Sequence, residues 1–85
     1  MTPYYQNDFY CLITTCKKKN FIRVKCINKI IDTEQSFTGY TARDLCYKIF
    51  NVYSSIINPY HAAYIGRELT KAEICLLLNQ TYLQC

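Results

Sequence analysis

The chain has 85 residues, 51% of them hydrophobic and 15% aromatic, with only two glycines and two prolines. That length allows one domain and no second core, and the composition excludes disorder and low complexity. A formal net charge of +4 suits an anionic partner, and no apolar run approaches the roughly 18 residues of a membrane span.

The first eight residues read as an N-terminal extension and residues 9–85 as a single domain. Phe9 to Thr15 (FYCLITT) is a run of aromatic, β-branched and small apolar residues, the pattern of a strand buried on at least one side. KKKN, residues 17–20, is a solvated connection. In FIRVKCI behind it, Ile22, Val24 and Cys26 alternate with Arg23 and Lys25, which marks a half-buried strand. So short a link predicts an antiparallel hairpin, because a parallel pair needs a long crossover. INKIID is read as prolonging the second strand, and QSFTG as opening a third.

Thr41 begins the first helix, with T-A-R-D in the form of a capping box. Ala42, Leu45, Cys46, Ile49, Phe50 and Tyr53 then make one apolar stripe that faces the sheet. A second helix starts at Asn58-Pro59, with Asn as N-cap and Pro at the first helical position, and runs to Leu78. Ala62, Ile65, Leu69, Ala72 and Leu76 form one apolar stripe on it. Ala63, Ile74, Leu77 and Leu78 form a second, which predicts a helix enclosed on two sides. Asn79 is placed to end it in a left-handed conformation, and TYLQC, 81–85, is read as a returning strand. The predicted architecture is a two-layer α+β domain, a small antiparallel sheet of two to four strands packed against two helices.

Six cysteines (Cys11, Cys16, Cys26, Cys46, Cys75 and Cys85) raise the question of a disulfide framework. MTPYYQNDFYC has neither the basic start nor the apolar run of a secretory signal, so reduced thiols are expected. There is no C-x-x-C, and one histidine among scattered cysteines does not give zinc spacing, so no metal site is assigned. Favoured Ile, Asn, Lys, Tyr and Phe have AT-rich codons, which fits an organelle genome and equally that of a parasite or a low-GC bacterium.

Chemistry-bearing residues concentrate in HAAYIGRELTKAE, residues 61–73. His61, Tyr64, Gly66, Arg67, Glu68 and Lys71 form the candidate ligand- or partner-binding set; no catalytic residue is assigned. Two readings of these residues stand side by side. In one, a neutral His61 in the first helical turn and Glu68 two turns on orient a ligand, and Gly66 lets it come close. In the other, Glu68 and Lys71 are a surface i, i+3 pair, His61 supports the helix start, and Gly66 is where another element presses. The latter predicts that Gly66→Ala overpacks. Lys17, Lys18, Lys19, Arg23, Lys25 and Lys29 suggest nucleic acid more weakly, since aromatics for stacking are not evident on that strand.

The segment 61–73 resembles a signature of the form His-Ala-Ala-Tyr-Leu-Gly-Arg-Glu-Leu-x-Lys-Ala-Glu, and FTGYTARDLCYKIFN resembles the same family's Gly-x-[ST]-Ala-x-[DE]-Leu helix start. The likeness runs from Phe9 to Gln84. Ile65 stands for Leu, and Cys85 for a terminal Asp. The family is a small plastid and cyanobacterial domain of unknown function, also found in archaea. In larger proteins it accompanies regions similar to dihydropteroate synthase or to the corrinoid methyltransferase component of tetrahydromethanopterin metabolism. The resemblance implies a plastid-encoded protein of the chloroplast stroma, or otherwise a cytoplasmic one. It also implies a non-enzymatic accessory domain that binds a protein partner or a pterin- or folate-like ligand. The alternative it carries is a small enzyme of pterin or one-carbon metabolism in which His61 and Glu68 handle protons. A homo-oligomer is left open.

Overall fold

The protein is described by a computed structural model, which covers the backbone of residues 5–6 and residues 9–82. Its elements are β1 (Tyr5–Gln6), β2 (Phe9–Cys16), β3 (Phe21–Asn28), β4 (Thr33–Gly39), α1 (Ala42–Tyr53) and α2 (Pro59–Leu77). The strands form one antiparallel sheet in the order β1-β2-β3-β4, with β1 a two-residue edge piece pairing Tyr5 with Tyr10 and Gln6 with Phe9. Both helices pack on one side of it, so the architecture is α+β in two layers.

Alternation fixes which side is covered. Phe9, Cys11 and Ile13 of β2 and Ile22, Val24 and Cys26 of β3 point into the core, where they meet Leu45 and Ile49 of α1 and Ile65, Leu69 and Ala72 of α2. The hairpin register pairs Cys11 with Cys26, and their Sγ atoms lie 3.6 Å apart in the core. That hydrogen bond with Cys26, together with burial, pushes the Cys11 thiol far up and keeps it protonated.

The turns and caps show how local chemistry places the elements. Asn20 and Asp32 take positive φ in the two hairpin connections, a conformation short polar side chains tolerate. INKIID prolongs β3 only by its first two residues: the strand stops at Asn28, whose side-chain oxygen accepts from the Ile30 backbone N–H and turns the chain through residues 29–32 into β4. A Cβ on Gly39 would lie 2.8 Å from Asp44 Oδ2 and 3.1 Å from Leu45 Cγ, so any larger residue would have to push these two side chains aside where β4 runs into α1. Thr41 Oγ1 accepts from the Asp44 N–H, as the capping pattern predicts, while the Asp44 carboxylate turns to Lys48 at 3.1 Å.

Asn58 Oδ1 accepts from the His61 N–H at 2.7 Å and starts α2, with Pro59 in the first turn. At the other end Asn79 has φ 54°. Its N–H donates to Leu76 O and that of Gln80 to Cys75 O, which closes the helix in a Schellman motif. Thr81 and Tyr82 are not in a strand, and the rest of the predicted returning strand lies outside the described residues.

One prediction fails on α2. Ile74, Leu77 and Leu78 are 51%, 78% and 61% exposed, and Ala63 is exposed too, so the second apolar stripe covers nothing and the helix is not enclosed on two sides. The one buried face, with Ile65, Leu69, Ala72 and Leu76, is instead widened by His61, Tyr64 and Glu68, residues whose polar ends masked their place in the core.

Candidate functional site

The six candidate residues divide between the two sides of α2. His61 is fully buried, with its ring edge against Phe9 at 5.6 Å, and Phe9 in turn lies 4.8 Å from Tyr53. Burial lowers the His61 pKa to about 4, so the imidazole is neutral at physiological pH. The sequence expectation of a neutral ring holds, but desolvation is the cause given by the structure.

Glu68 is only 4% exposed. Its two oxygens are engaged, Oε1 accepting from the Tyr82 hydroxyl at 2.8 Å and Oε2 facing Lys71 Nζ at 3.0 Å. The i, i+3 pair is therefore made, but it is lopsided: the Lys71 side chain is 64% exposed and the carboxylate is inside. Its work is to tie the chain after α2 back onto the helix. Glu73, absent from the candidate set, does something similar across the molecule, accepting from the Ala42 N–H at 2.6 Å and so satisfying an open donor at the start of α1. These carboxylates build the fold.

Gly66, Arg67 and Lys71 lie on the other side, in an open groove of about 580 Å³ between α1 and α2. Ala42, Arg43 and Cys46 of α1 and Ala63 and Thr70 of α2 complete its lining. The floor is small and largely apolar because Ala42, Ala63 and Gly66 hold the side chains back. A Cβ on Gly66 would meet nothing within 4 Å, which overturns the expectation that another element presses there and reverses the predicted effect of Gly66→Ala. The rim carries Arg43, Arg67 and Lys71, and no carboxylate among the described residues lines the groove. Arg67 is held 5.9 Å over the Tyr64 ring, so the buried Tyr64 supports a cation that the groove displays. Thr70 donates to Gly66 O at 2.8 Å, leaving its oxygen as an acceptor toward the groove. Burial pushes the Cys46 thiol up, so it is an apolar wall and a poor nucleophile.

His61 and Glu68 are not among the lining residues, so the structure does not bring the two together in this groove. Among the described residues no group of three or more His, Cys, Asp or Glu side chains could hold a metal. Sequence reading missed Arg43 and the α1 wall. The small residues Ala63, Gly66 and Thr70, spaced i, i+3 and i+7, were the available signal of an open helix face.

Fold and site together define a small α+β domain with a cationic interhelical groove. A family model described as PterinBD-DUF4346 matches residues 7–85, and the chain belongs to that family. It is 32% identical over 89 residues to "Uncharacterized protein ycf91" of Porphyra purpurea, covering 88% of this chain and 74% of that protein. It is 44% identical over 50 residues to the "Ycf91-like protein" of Nostoc sp. PCC 7120, covering 56% of this chain and 39% of the relative. To the ycf91 protein of Pyropia yezoensis it is 46% identical over 50 residues, 56% of this chain and 43% of that one. These relatives set it in a plastid and cyanobacterial lineage. No solved structure matches. No helix among the described residues is long and apolar enough to cross a membrane.

Proposed function

We propose that this domain is a non-enzymatic accessory module of the plastid stroma, and that its interhelical groove takes a pterin- or folate-like ligand bearing a carboxylate or phosphate tail. The observation that carries the reading is the groove itself: an apolar floor of Ala42, Ala63 and Gly66 under a rim of Arg43, Arg67 and Lys71, with no carboxylate in the described lining. A flat ring system suits the floor, and an anionic tail suits the rim, where charge-assisted hydrogen bonds are the strong ones. The family description joins this domain to pterin binding by name, which supports the same ligand class.

Calorimetric titration with folic acid, pteroic acid and unsubstituted pterin tests it. Folic acid and pteroic acid bind, pterin binds more weakly, and Arg43→Gln with Arg67→Gln lowers the affinity of the tailed compounds at least about tenfold without changing the melt. Absence of heat with all three compounds, or a double variant that binds like wild type, excludes the reading.

A further inference from the structure

The sheet has a second face, opposite the helices. It is built by Tyr10, Leu12 and Thr14 of β2 and by Phe21, Arg23, Lys25 and Ile27 of β3, with register pairs Tyr10–Ile27, Leu12–Lys25, Thr14–Arg23 and Cys16–Phe21. Arg23 and Thr14 are exposed, and the others are partly so. Two cations sit over aromatic rings here, Arg23 at 5.8 Å from Phe21 and Lys29 at 5.6 Å from Tyr10. Between the two aromatic ends, Leu12, Thr14, Arg23 and Lys25 surround a depression of about 230 Å³.

Charge is segregated onto this part of the chain. Lys17, Lys18, Lys19, Arg23, Lys25 and Lys29 are six of the ten basic residues, and residues 9–31 contain no Asp or Glu. The lysines of the β2–β3 turn are all exposed. Lys25 forms an exposed ion pair with Glu34 of β4 at 3.2 Å, a contact easily exchanged for another anion.

We infer that the helix-free face of the sheet binds single-stranded nucleic acid, bases stacking at Phe21 and Tyr10 while Arg23, Lys25 and the turn lysines take phosphates. Strand alternation makes this arrangement: along β3, Phe21 shares a face with Arg23 and Lys25, and the hairpin brings Tyr10 onto that face as a second aromatic. From Phe21 to the Ile27 level, where Tyr10 lies, is about 20 Å of strand, room for several nucleotides. Stacking requires unpaired bases, so a duplex is a poor occupant. An acidic protein surface would use the cations but not the rings.

Fluorescence anisotropy with labelled rU and dT oligomers, a duplex, and unlabelled heparin and polyglutamate as competitors tests the inference. Both single strands bind more tightly than the duplex, with affinity falling in salt at a log–log slope of about −2, the value for some three phosphate contacts. A preference for rU over dT identifies RNA as the occupant, and equality identifies either strand. Phe21→Leu keeps an apolar side chain but removes the ring, and weakens single-strand binding roughly tenfold while heparin binding is unchanged. Arg23→Gln with Lys25→Gln, changes on the helix-free face that spare the core, flattens the salt slope by about 1.4. A duplex or polyglutamate that competes as well as the single strand, or both variants binding as wild type, overturns it.

Discussion

The two sides of α2 carry residues of one continuous stretch of sequence and do opposite work. Inward, His61, Tyr64 and Glu68 join Ile65 and Leu69 in the core; outward, Gly66, Arg67 and Lys71 line an open groove. Side-chain chemistry does not distinguish them, because each side has ionisable members. Position about the helix axis does. A histidine and a glutamate that look like proton-transfer partners on paper are placed as a buried ring against Phe9 and an anchor for Tyr82. The cations that look like solvated decoration stand around the part of the segment that lines an open groove.

The sharpest contrast lies within the Glu68–Lys71 pair. Glu68→Ala removes the buried acceptor of the Tyr82 hydroxyl and should cost about 2 to 3 kcal/mol in a urea melt. Lys71→Ala, at the exposed end of the same pair, should cost well under about 1 kcal/mol. Equal costs would show that the carboxylate is no more enclosed than the amine.

Buried His61 gives the inward side a pH dependence. Its folded pKa, about 4, is below the ordinary 6.5, so below that ordinary value the unfolded chain binds the proton and the folded chain resists it. Stability is complete above about pH 6.5 and is lost as pH falls toward 4. Between pH 7 and pH 5 the loss from this group should be about 2 kcal/mol. Urea melts at the two pH values measure it, and His61→Leu should abolish most of the difference. A variant as acid-sensitive as wild type would mean that His61 is not desolvated.

On the outward side the expected effect is smallest and of opposite sign. Gly66→Ala puts a methyl into open space and removes glycine's conformational freedom from a helix interior, so it should stabilise by about 0.5 to 1 kcal/mol in a thermal melt. Under the proposed function it also fills part of the groove floor, and folic acid binding should weaken as the melt rises. A lowered melt would show that the groove is closed in solution.

Much of the fold was legible without coordinates, because the signals behind it are local. The N-caps Thr41 and Asn58, the left-handed Asn79, the stripe from Ala42 to Tyr53 and the alternation of β3 each depend on residues within a turn or two of chain. The six-residue candidate set could be recognised as a set for the same reason, by proximity along one helix. Local pattern also misled: Ala63, Ile74, Leu77 and Leu78 are apolar and periodic, yet periodicity states which residues share a face and not whether anything covers it. Only tertiary packing decided that His61 and Glu68 go inside, that Glu73 caps a helix thirty-one residues earlier in the chain, and that Arg43 meets Arg67 and Lys71 across a groove. Each of those outcomes depends on how α1 and α2 sit on the sheet, a geometry set by the summed burial of both helices and the strands beneath them. No single stretch of sequence contains it.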